Sequence, residues 1–515
     1  MSFYSPRAVA GLVFSLSLLA TQALAAGRDQ ALLEALRENG SITQEQYESL
    51  SVTDDSAEES SEESRPGALP AAAASGDEVS NDDETGDANG FLAEKITAVI
   101  SEKMDKEFPI KVSYGSKGFR LETRDGNWQT NLQWRFQFRF TSPSTGDPRT
   151  VSDFASREKS TFQLRRVRMK IGGHGYRPWL KYYFEVDLQP TRDSDDSSSN
   201  ASARVIDWRV DVAKYKKLGI RVGQWKIDYN RERVDSSGRQ QFVERSIVNR
   251  IFTIDRQMGV SVRGHLFEGT PADMKYAFGV FTGEGRGVAN DDDNLMYTAR
   301  IQWNFLGRDL GFRQTDVERT EKPTASLAFG AAQHQGVCTR WSSSGCGNLN
   351  GFTSPRNSGE TDAPRIRQGQ YKIHQAVQEL AFKWQGFSFQ QEFHWKRVLD
   401  RAQNRNTALY RSDFYGGYIQ AGYFFSELLD VFPEELELAF RYAYVREPNE
   451  ARQTVTVANR FRDNVRQEFT AGANWFFSGH NNKITVDYSH LTLDDDVVSR
   501  NVSDDRVRIQ WDVSF

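Results

Sequence analysis

Five arginines crowd one polar stretch, residues 228–255: Arg231, Arg233, Arg239, Arg245 and Arg250. A guanidinium stays charged at any physiological pH and presents a planar fork of donors that matches an oxyanion. Binding of phosphate-like or other small anions is the chemistry this density suggests. The competing reading is structural, since arginines also brace a fold by pairing with carboxylates. Glu185, Asp187, Asp207, Asp211, Glu244, Glu379, Glu392, Glu437 and Asp487 are available for that purpose.

Such arginines need elements to hold them, and from residue 128 the hydrophobic period is two. Leu132, Trp134, Phe136, Phe138 and Phe140 alternate with Asn131, Gln133, Arg135, Gln137 and Arg139. The last ten residues repeat the pattern: Val507, Ile509, Trp511, Val513 and Phe515 oppose Arg506, Arg508, Gln510, Asp512 and Ser514. A strand with one apolar and one polar face, recurring in segments of about ten residues, is the signature of a transmembrane β-barrel. Sixteen such segments are expected, at 128–140, 161–173, 179–189, 204–213, 218–227, 256–266, 274–282, 295–305, 323–334, 372–385, 387–397, 414–425, 436–446, 465–477, 483–493 and 505–515. Links at 174–178, 214–217, 386 and 478–482 are tight, whereas 141–160, 228–255, 335–371 and 398–413 are long. Short periplasmic turns and long external loops alternate in this way. The link at 306–322 breaks the rule, because its parity is periplasmic.

The fold class is therefore all-β, a sixteen-stranded antiparallel barrel over residues 119–515. Stretch 228–255 is its third external loop. The alternation also points Arg135, Arg139, Arg166, Arg168, Lys170, Arg209, Arg263 and Arg300 inward. Rings of Arg or Lys in a narrow lumen attract anions and repel cations. Trp128, Tyr182, Trp208, Trp225, Trp303, Tyr418, Trp475 and Trp511 are candidates for the aromatic girdles at the lipid boundaries, with lipid-facing packing as the alternative.

A mean hydropathy of −0.63 fits a barrel, in which only alternate residues meet lipid. No apolar run after the N-terminus reaches the eighteen residues a helical span needs. Residues 1–26 read as a secretory signal, with Arg7, the apolar Ala8–Ala20 and Ala23-Leu24-Ala25 before the cut. Residues 27–50 carry the spacing of a short helical hairpin: Leu32, Leu33 and Leu36 form one stripe, and Thr43 with Gln46 forms a capping box. It reads as a docking or oligomerisation arm or as a loosely ordered terminus. Residues 51–90 form an acidic linker; 54–87 alone sum to −11, while 108–515 sum to +9. Residues 91–118 are a short helical segment and lead-in, with Leu92, Ile96, Val99 and Ile100 on one side. This N-terminal region would lie in the periplasm.

Export to an oxidising compartment makes Cys338 and Cys346 a loop disulfide, and two cysteines with no neighbouring Cys or His pair match no metal spacing. No metal or cofactor is expected. An enzyme is disfavoured: His174, His265, His334, His374, His394, His480 and His490 are scattered, and no Gly-x-Ser-x-Gly or phosphate-binding glycine loop occurs. Residues 27–118 are too short and acidic for a transporter plug. Acidic pI and export argue against nucleic acid.

Several fragments, in order, carry a family resemblance: Arg221-Val222-Gly223-Gln224-Trp225-Lys226, Glu244-Arg245-Ser246, Arg256 to Gly264 (RQMGVSVRG), Tyr276 to Gly283 (YAFGVFTG), Asp293-Asn294, Ala299-Arg300, Tyr415 to Tyr423 (YGGYIQAGY) and Gly472-Ala473-Asn474-Trp475. Over 119–515 the chain resembles the phosphate-selective porin O/P family of Gram-negative outer membranes. The resemblance implies a trimeric sixteen-stranded porin in the outer membrane whose third external loop folds into the pore. It leaves the solute open, because the family includes members that pass other small molecules. Trp511 and the terminal Phe515 resemble the signal by which the barrel-assembly machinery recognises such proteins.

Overall fold

A computed structural model describes residue 44 and residues 110–143, 148–155, 160–188, 203–290, 292–342, 345–349, 351–352, 368–448, 463–495 and 500–515. The chain divides into two units, 1–92 and 93–515. The signal, the acidic linker and the helical segment at 91–108 lie outside the described residues, as does the 27–50 hairpin except for Gln44, which is helical and exposed.

Two short strands, β1 (Ile110–Gly115) and β2 (Gly118–Thr123), form a hairpin. This hairpin occupies the lead-in after the helical segment expected over 91–108: Ile110, Val112 and Tyr114 alternate and pair across the turn with Thr123, Leu121 and Phe119. The wall then runs as β3 (Gln129–Ser142), β4 (Thr161–Gly175), β5 (Arg177–Asp187), β6 (Arg204–Tyr215), β7 (Leu218–Lys226), β8 (Arg256–Leu266), β9 (Met274–Phe281), β10 (Met296–Trp303) and β11 (Thr324–Gly336). A small hairpin, β12 (Arg340–Ser342) and β13 (Gly345–Gly347), interrupts it within a long link. The wall resumes with β14 (Tyr371–Trp384), β15 (Phe387–Asp400), β16 (Arg411–Tyr423), β17 (Leu436–Pro448), β18 (Asp463–Ser478), β19 (Asn482–Asp495) and β20 (Arg500–Ser514).

Each wall strand pairs antiparallel with its neighbours in sequence, and β20 pairs β3 from Val507↔Ser142 to Ser514↔Arg135. The sixteen expected strands therefore close into one barrel, an arrangement that leaves no free edge among them. Beyond the reach of β20, β2 takes over the edge of β3 (Phe119↔Leu132, Glu122↔Gln129). The two-residue turn before β15 places Gln385 at φ 43° and Gly386 at φ 77°, the left-handed pair that suits the twist of a tight hairpin.

Polarity is inverted relative to a soluble protein. Phe138, Trp303, Phe329, Phe393, Phe440 and Trp511 are exposed on the outside, while Gln137, Arg139, Glu379, Glu392, Arg441 and Asp487 are buried within. Only an apolar medium around the barrel and water inside it make that distribution favourable. Two of the girdle candidates face the other way. Trp225 is in phase with inward Arg221 and Gly223, and Tyr418 with inward Gly416 and Gln420, so both are fully buried. Trp225 packs edge-on against Phe281, and Tyr418 accepts a hydrogen bond from Gln390.

Candidate functional site

The link between β7 and β8 turns into the barrel instead of out over it. After α1 (Val151–Ala155) in the β3–β4 link, this link holds two further single helical turns, α2 (Arg231–Val234) and α3 (Val248–Phe252). Its apolar residues Ile247, Val248, Ile251, Phe252 and Ile254 are buried in a cluster with Trp225, Trp341, Val398 and Phe414. Burial of that stripe supplies a non-directional force for the inward fold. Polar contacts then fix its course.

Four wall carboxylates accept backbone N–H groups from the loop. Glu379 takes Arg231 N (3.1 Å), Glu392 takes Glu232 N (2.6 Å), Asp487 takes Val243 N (2.8 Å) and Glu468 takes Ile247 N (2.9 Å). Wall cations hold its carbonyls: Lys396 reaches Ile251 O (2.9 Å), Arg441 reaches Glu244 O (3.0 Å) and Lys483 reaches Gln240 O (2.5 Å). The loop thus lines one side of the lumen, from β14 round to β19 and β3. Small wall residues make the space. A Cβ on Gly416 would stand 2.6 Å from the Phe252 ring, and one on Gly422 would stand 2.0 Å from Gln241 Nε2.

The five loop arginines part company in this structure. Arg231 is buried, with Nη1 and Nη2 donating to Gly311 O (2.7 and 2.9 Å) and the guanidinium over the Phe312 ring. Arg233 forms a bidentate pair with Asp255. Arg250 sits in α3 with a buried Nε that has no partner. Arg239 is half-buried among Asp235 and Arg313 without an ion pair among the described residues. Arg245 donates to the carbonyls of Glu232 (2.9 Å) and Asp235 (2.8 Å).

The wall cations divide likewise. Arg168 pairs with Glu185 (3.0 Å) and Asp187 (3.1 Å), Arg209 with Asp211 (3.4 Å), Arg263 with Asp228 (2.9 Å), Arg300 with Glu379 (2.6 Å) and Arg139 with Glu244 (2.5 Å). Arg135 instead donates to the Ser236 and Ser237 hydroxyls (2.8 and 2.7 Å), Arg166 to Gln137 Oε1 (2.8 Å) and Lys170 to Gln133 Oε1 (3.2 Å). Lys226, which strand alternation did not single out, donates to Asp235 O (3.2 Å). Arg165 was also missed, because a bulge opposite Gln137/Phe138 slips it inward toward Glu244 (3.4 Å).

Arg135, Arg166, Lys170, Lys226, Arg239 and Arg245 therefore have no carboxylate oxygen within 4.0 Å among the described residues. They lie on β3, β4, the end of β7 and the facing stretch of the loop. Lys170 is within electrostatic reach of Arg135, Arg168 and Arg239, and Lys226 of Arg233, Arg245 and Arg256. Burial would raise the carboxyls of Asp228, Glu244 and Asp255, yet facing arginines outweigh it and hold all three below the ordinary carboxylate range. These acids stay ionised and their partners stay neutralised. Burial and nearby Arg233 lower Arg245 to about 10, which leaves it charged at neutral pH.

The odd link, 306–322, also folds inward, from the short-turn end. Gln314 Oε1 accepts Gln241 N (2.7 Å), and Gln314 Nε2 donates to Gln240 Oε1 (2.9 Å). Together with Arg231–Gly311, these bonds join the two links inside the lumen. Cys338 and Cys346 form a disulfide with Cα atoms 5.5 Å apart.

Residues 144–515 match the family model described as phosphate-selective porin O and P. The chain belongs to that family. Fold and family point to an outer-membrane channel rather than an enzyme. No curated protein matches the sequence. Among solved structures, the porin is similar to the anion-selective porin from Comamonas acidovorans at 10% identity (75% of this chain and 99% of that one; TM-score 0.44). It is similar to the outer membrane channel DcaP of Acinetobacter baumannii at 13% identity (75% and 97%; TM-score 0.45). OmpT of Vibrio cholerae matches at 10% identity (75% and 97%; TM-score 0.46).

Proposed function

We propose that this porin passes small anions passively across the outer membrane, with phosphate as the solute its lumen suits first. The observation behind the reading is the set of six cations without carboxylate partners among the described residues, gathered where β3, β4 and the end of β7 face the docked loop. Like charges so placed repel one another, and a passing anion relieves that repulsion. Hydroxyls of Ser236 and Ser237, beside Arg135, add neutral donors along the same path. Several modest sites in series let an ion enter and leave, where one deep site would trap it. The working form is a homotrimer in outer-membrane lipid, assembled by the barrel-assembly machinery through the β20 terminus, with the N-terminal region in the periplasm.

Reversal potentials in a salt gradient across planar bilayers test the charge selectivity. The native channel is expected to prefer anions, and the Lys170→Glu/Arg239→Glu variant to lose or reverse that preference. Cation preference in the native channel would end the reading. Millimolar phosphate should block chloride current in the native channel and do so far less in Lys170→Ala/Arg239→Ala. Anion preference without such block would point to another small organic anion as the solute.

A further inference from the structure

One buried cluster, beside the ends of β9 and β11, supplies none of the cations of the anion path. Glu284 follows β9, His334 lies near the end of β11, Cys338 precedes β12, and Cys346, in β13, is bonded to it. Glu284, His334 and Cys338 are almost completely shielded from solvent. Cys338 Sγ is 3.4 Å from Glu284 Oε2, and His334 Nε2 is 3.6 Å from Glu284 Oε1. Both sulfurs and a Glu284 oxygen lie within 4.8 Å of one another. Neither ring nitrogen of His334 has a hydrogen-bond partner, and neither does Glu284 Oε1. Unsatisfied polar atoms at this depth are costly and call for an occupant.

Room for one has been kept. A Cβ on Gly336 would stand 2.3 Å from His334 Nε2 and 2.7 Å from Glu284 Oε1, in the gap between them. Gly336 does not have the positive φ that would demand glycine for its backbone, so the missing side chain serves the gap. Gly283 clears the opposite side, where a Cβ would stand 2.2 Å from the imidazole. Trp341, edge-on to His334 at 5.5 Å, donates its Nε1 to Gly283 O (2.6 Å) and fixes the ring's other flank.

The distances fit a tetrahedral ion. With metal–sulfur bonds of about 2.3 Å and metal–nitrogen or metal–oxygen bonds of about 2.0–2.2 Å, adjacent ligand atoms stand roughly 3.3–3.8 Å apart. The 3.4 Å between Cys338 Sγ and Glu284 Oε2 already has the length of such an edge, and His334 Nε2 lies 3.6 Å from the other oxygen, Oε1, so a small turn of the carboxylate and of the imidazole completes the fourfold set. Two thiolates, an imidazole and a carboxylate select zinc or a similar borderline ion over magnesium or calcium.

We propose that Glu284, His334, Cys338 and Cys346 form a transition-metal site that their disulfide masks. A dithiol reductant would open it by exchange: the S–S bond breaks, both cysteines become thiols, and the dithiol is oxidised to its own disulfide. A divalent ion then displaces the two thiol protons and is held by both thiolates, His334 Nε2 and the Glu284 carboxylate. The same four side chains hold a covalent staple or a metal, but never both. Trp341 of the β12–β13 hairpin packs in the cluster that contains α3 of the constriction loop, so the exchange takes place against the element that narrows the channel.

The test uses the full-length protein in detergent, reduced with a dithiol, freed of reductant under anaerobic conditions and titrated with Co2+. Expected are one cobalt per chain with thiolate-to-cobalt charge-transfer bands, displacement by Zn2+, and no bands before reduction. His334→Ala, Glu284→Gln and Gly336→Val should each weaken binding at least about ten-fold, the low end of what loss of even an outer-shell partner costs. An unreactive reduced protein would overturn the proposal, as would His334→Ala and Glu284→Gln variants that bind as tightly as the native chain. X-ray absorption of the reduced, zinc-loaded native protein decides the matter even if a variant fails to form its barrel: two sulfur and two nitrogen or oxygen neighbours support the site, and any other first shell refutes it.

Discussion

Arg231 and Lys226 stand five residues apart and look equally suited to an anion, yet their surroundings give them different work. Arg231 is spent on Gly311 O, whereas Lys226 bonds only the Asp235 carbonyl and has no carboxylate partner among the described residues. Arg231→Ala is accordingly expected to leave the reversal potential nearly unchanged while loosening the junction between the two inward links. Ion selectivity measured beside amide hydrogen exchange of 228–246 would separate the two effects. Glu232 makes a second residue-scale prediction. Burial, with Glu392 nearby and despite Arg441, pushes its carboxyl up to about 7, while it accepts Ser246 N (2.7 Å) and Ser246 Oγ (3.0 Å). A folded-state value above the ordinary 4.5 means that the docked loop holds a proton the undocked chain releases. Docking therefore weakens as pH rises from about 4.5 to about 7 and stays weaker above that. Brief closures or flicker in single-channel records should increase from pH 5 to pH 8 in the native channel, and Glu232→Gln should flatten that dependence.

Among elements, the inward loop and the glycines beneath it are matched surfaces. Gly422→Leu drives a side chain into Gln241, which already bonds Ser388 (3.1 Å) and Glu437 (2.7 Å). Overpacking of this kind costs about 1–3 kcal/mol and is relieved most cheaply by moving the loop, not the wall. The variant should fold, conduct more per channel and discriminate less between anions and cations; unchanged conductance would show that the loop does not set the constriction. The strands themselves were readable in the sequence, because a period of two survives any uncertainty about where a turn begins. Residue type without phase misled, as Trp225 and Tyr418 show: both are aromatic, but both fall on the inward beat. Which arginines are free could not be read at all. Arg168 is neutralised by two acids on the next strand and Arg166 by none, a difference set by the register β4 adopts past its bulge and by a loop arriving from outside the sheet. The inward course of 306–322 was visible only as a length that broke the alternation. His334 does stand four residues before Cys338, a ligand-like spacing, but Glu284, 54 residues before Cys338, carries none that chain order would reveal.

Across the whole molecule, everything assigned to conduction lies within residues 110–515, which carry the positive balance, while the −11 belongs to residues 54–87 of the first unit. Deletion of residues 51–90 is expected to leave single-channel conductance and selectivity unchanged; altered selectivity would mean that the acidic segment contributes to the path. The pairing of β3 with β20 has a further consequence. Fifteen of the sixteen wall contacts join strands that follow one another along the chain, and only this one spans the full circuit. Bringing together two segments on the order of 370 residues apart carries a chain-closure entropy of about 5 kcal/mol, repaid only when the whole row of bonds forms at once. Assembly therefore ends in a single late, all-or-none event: until then the intermediate is an open ribbon with two sticky margins, and whatever shepherds this protein into lipid must guard both of them to the last step.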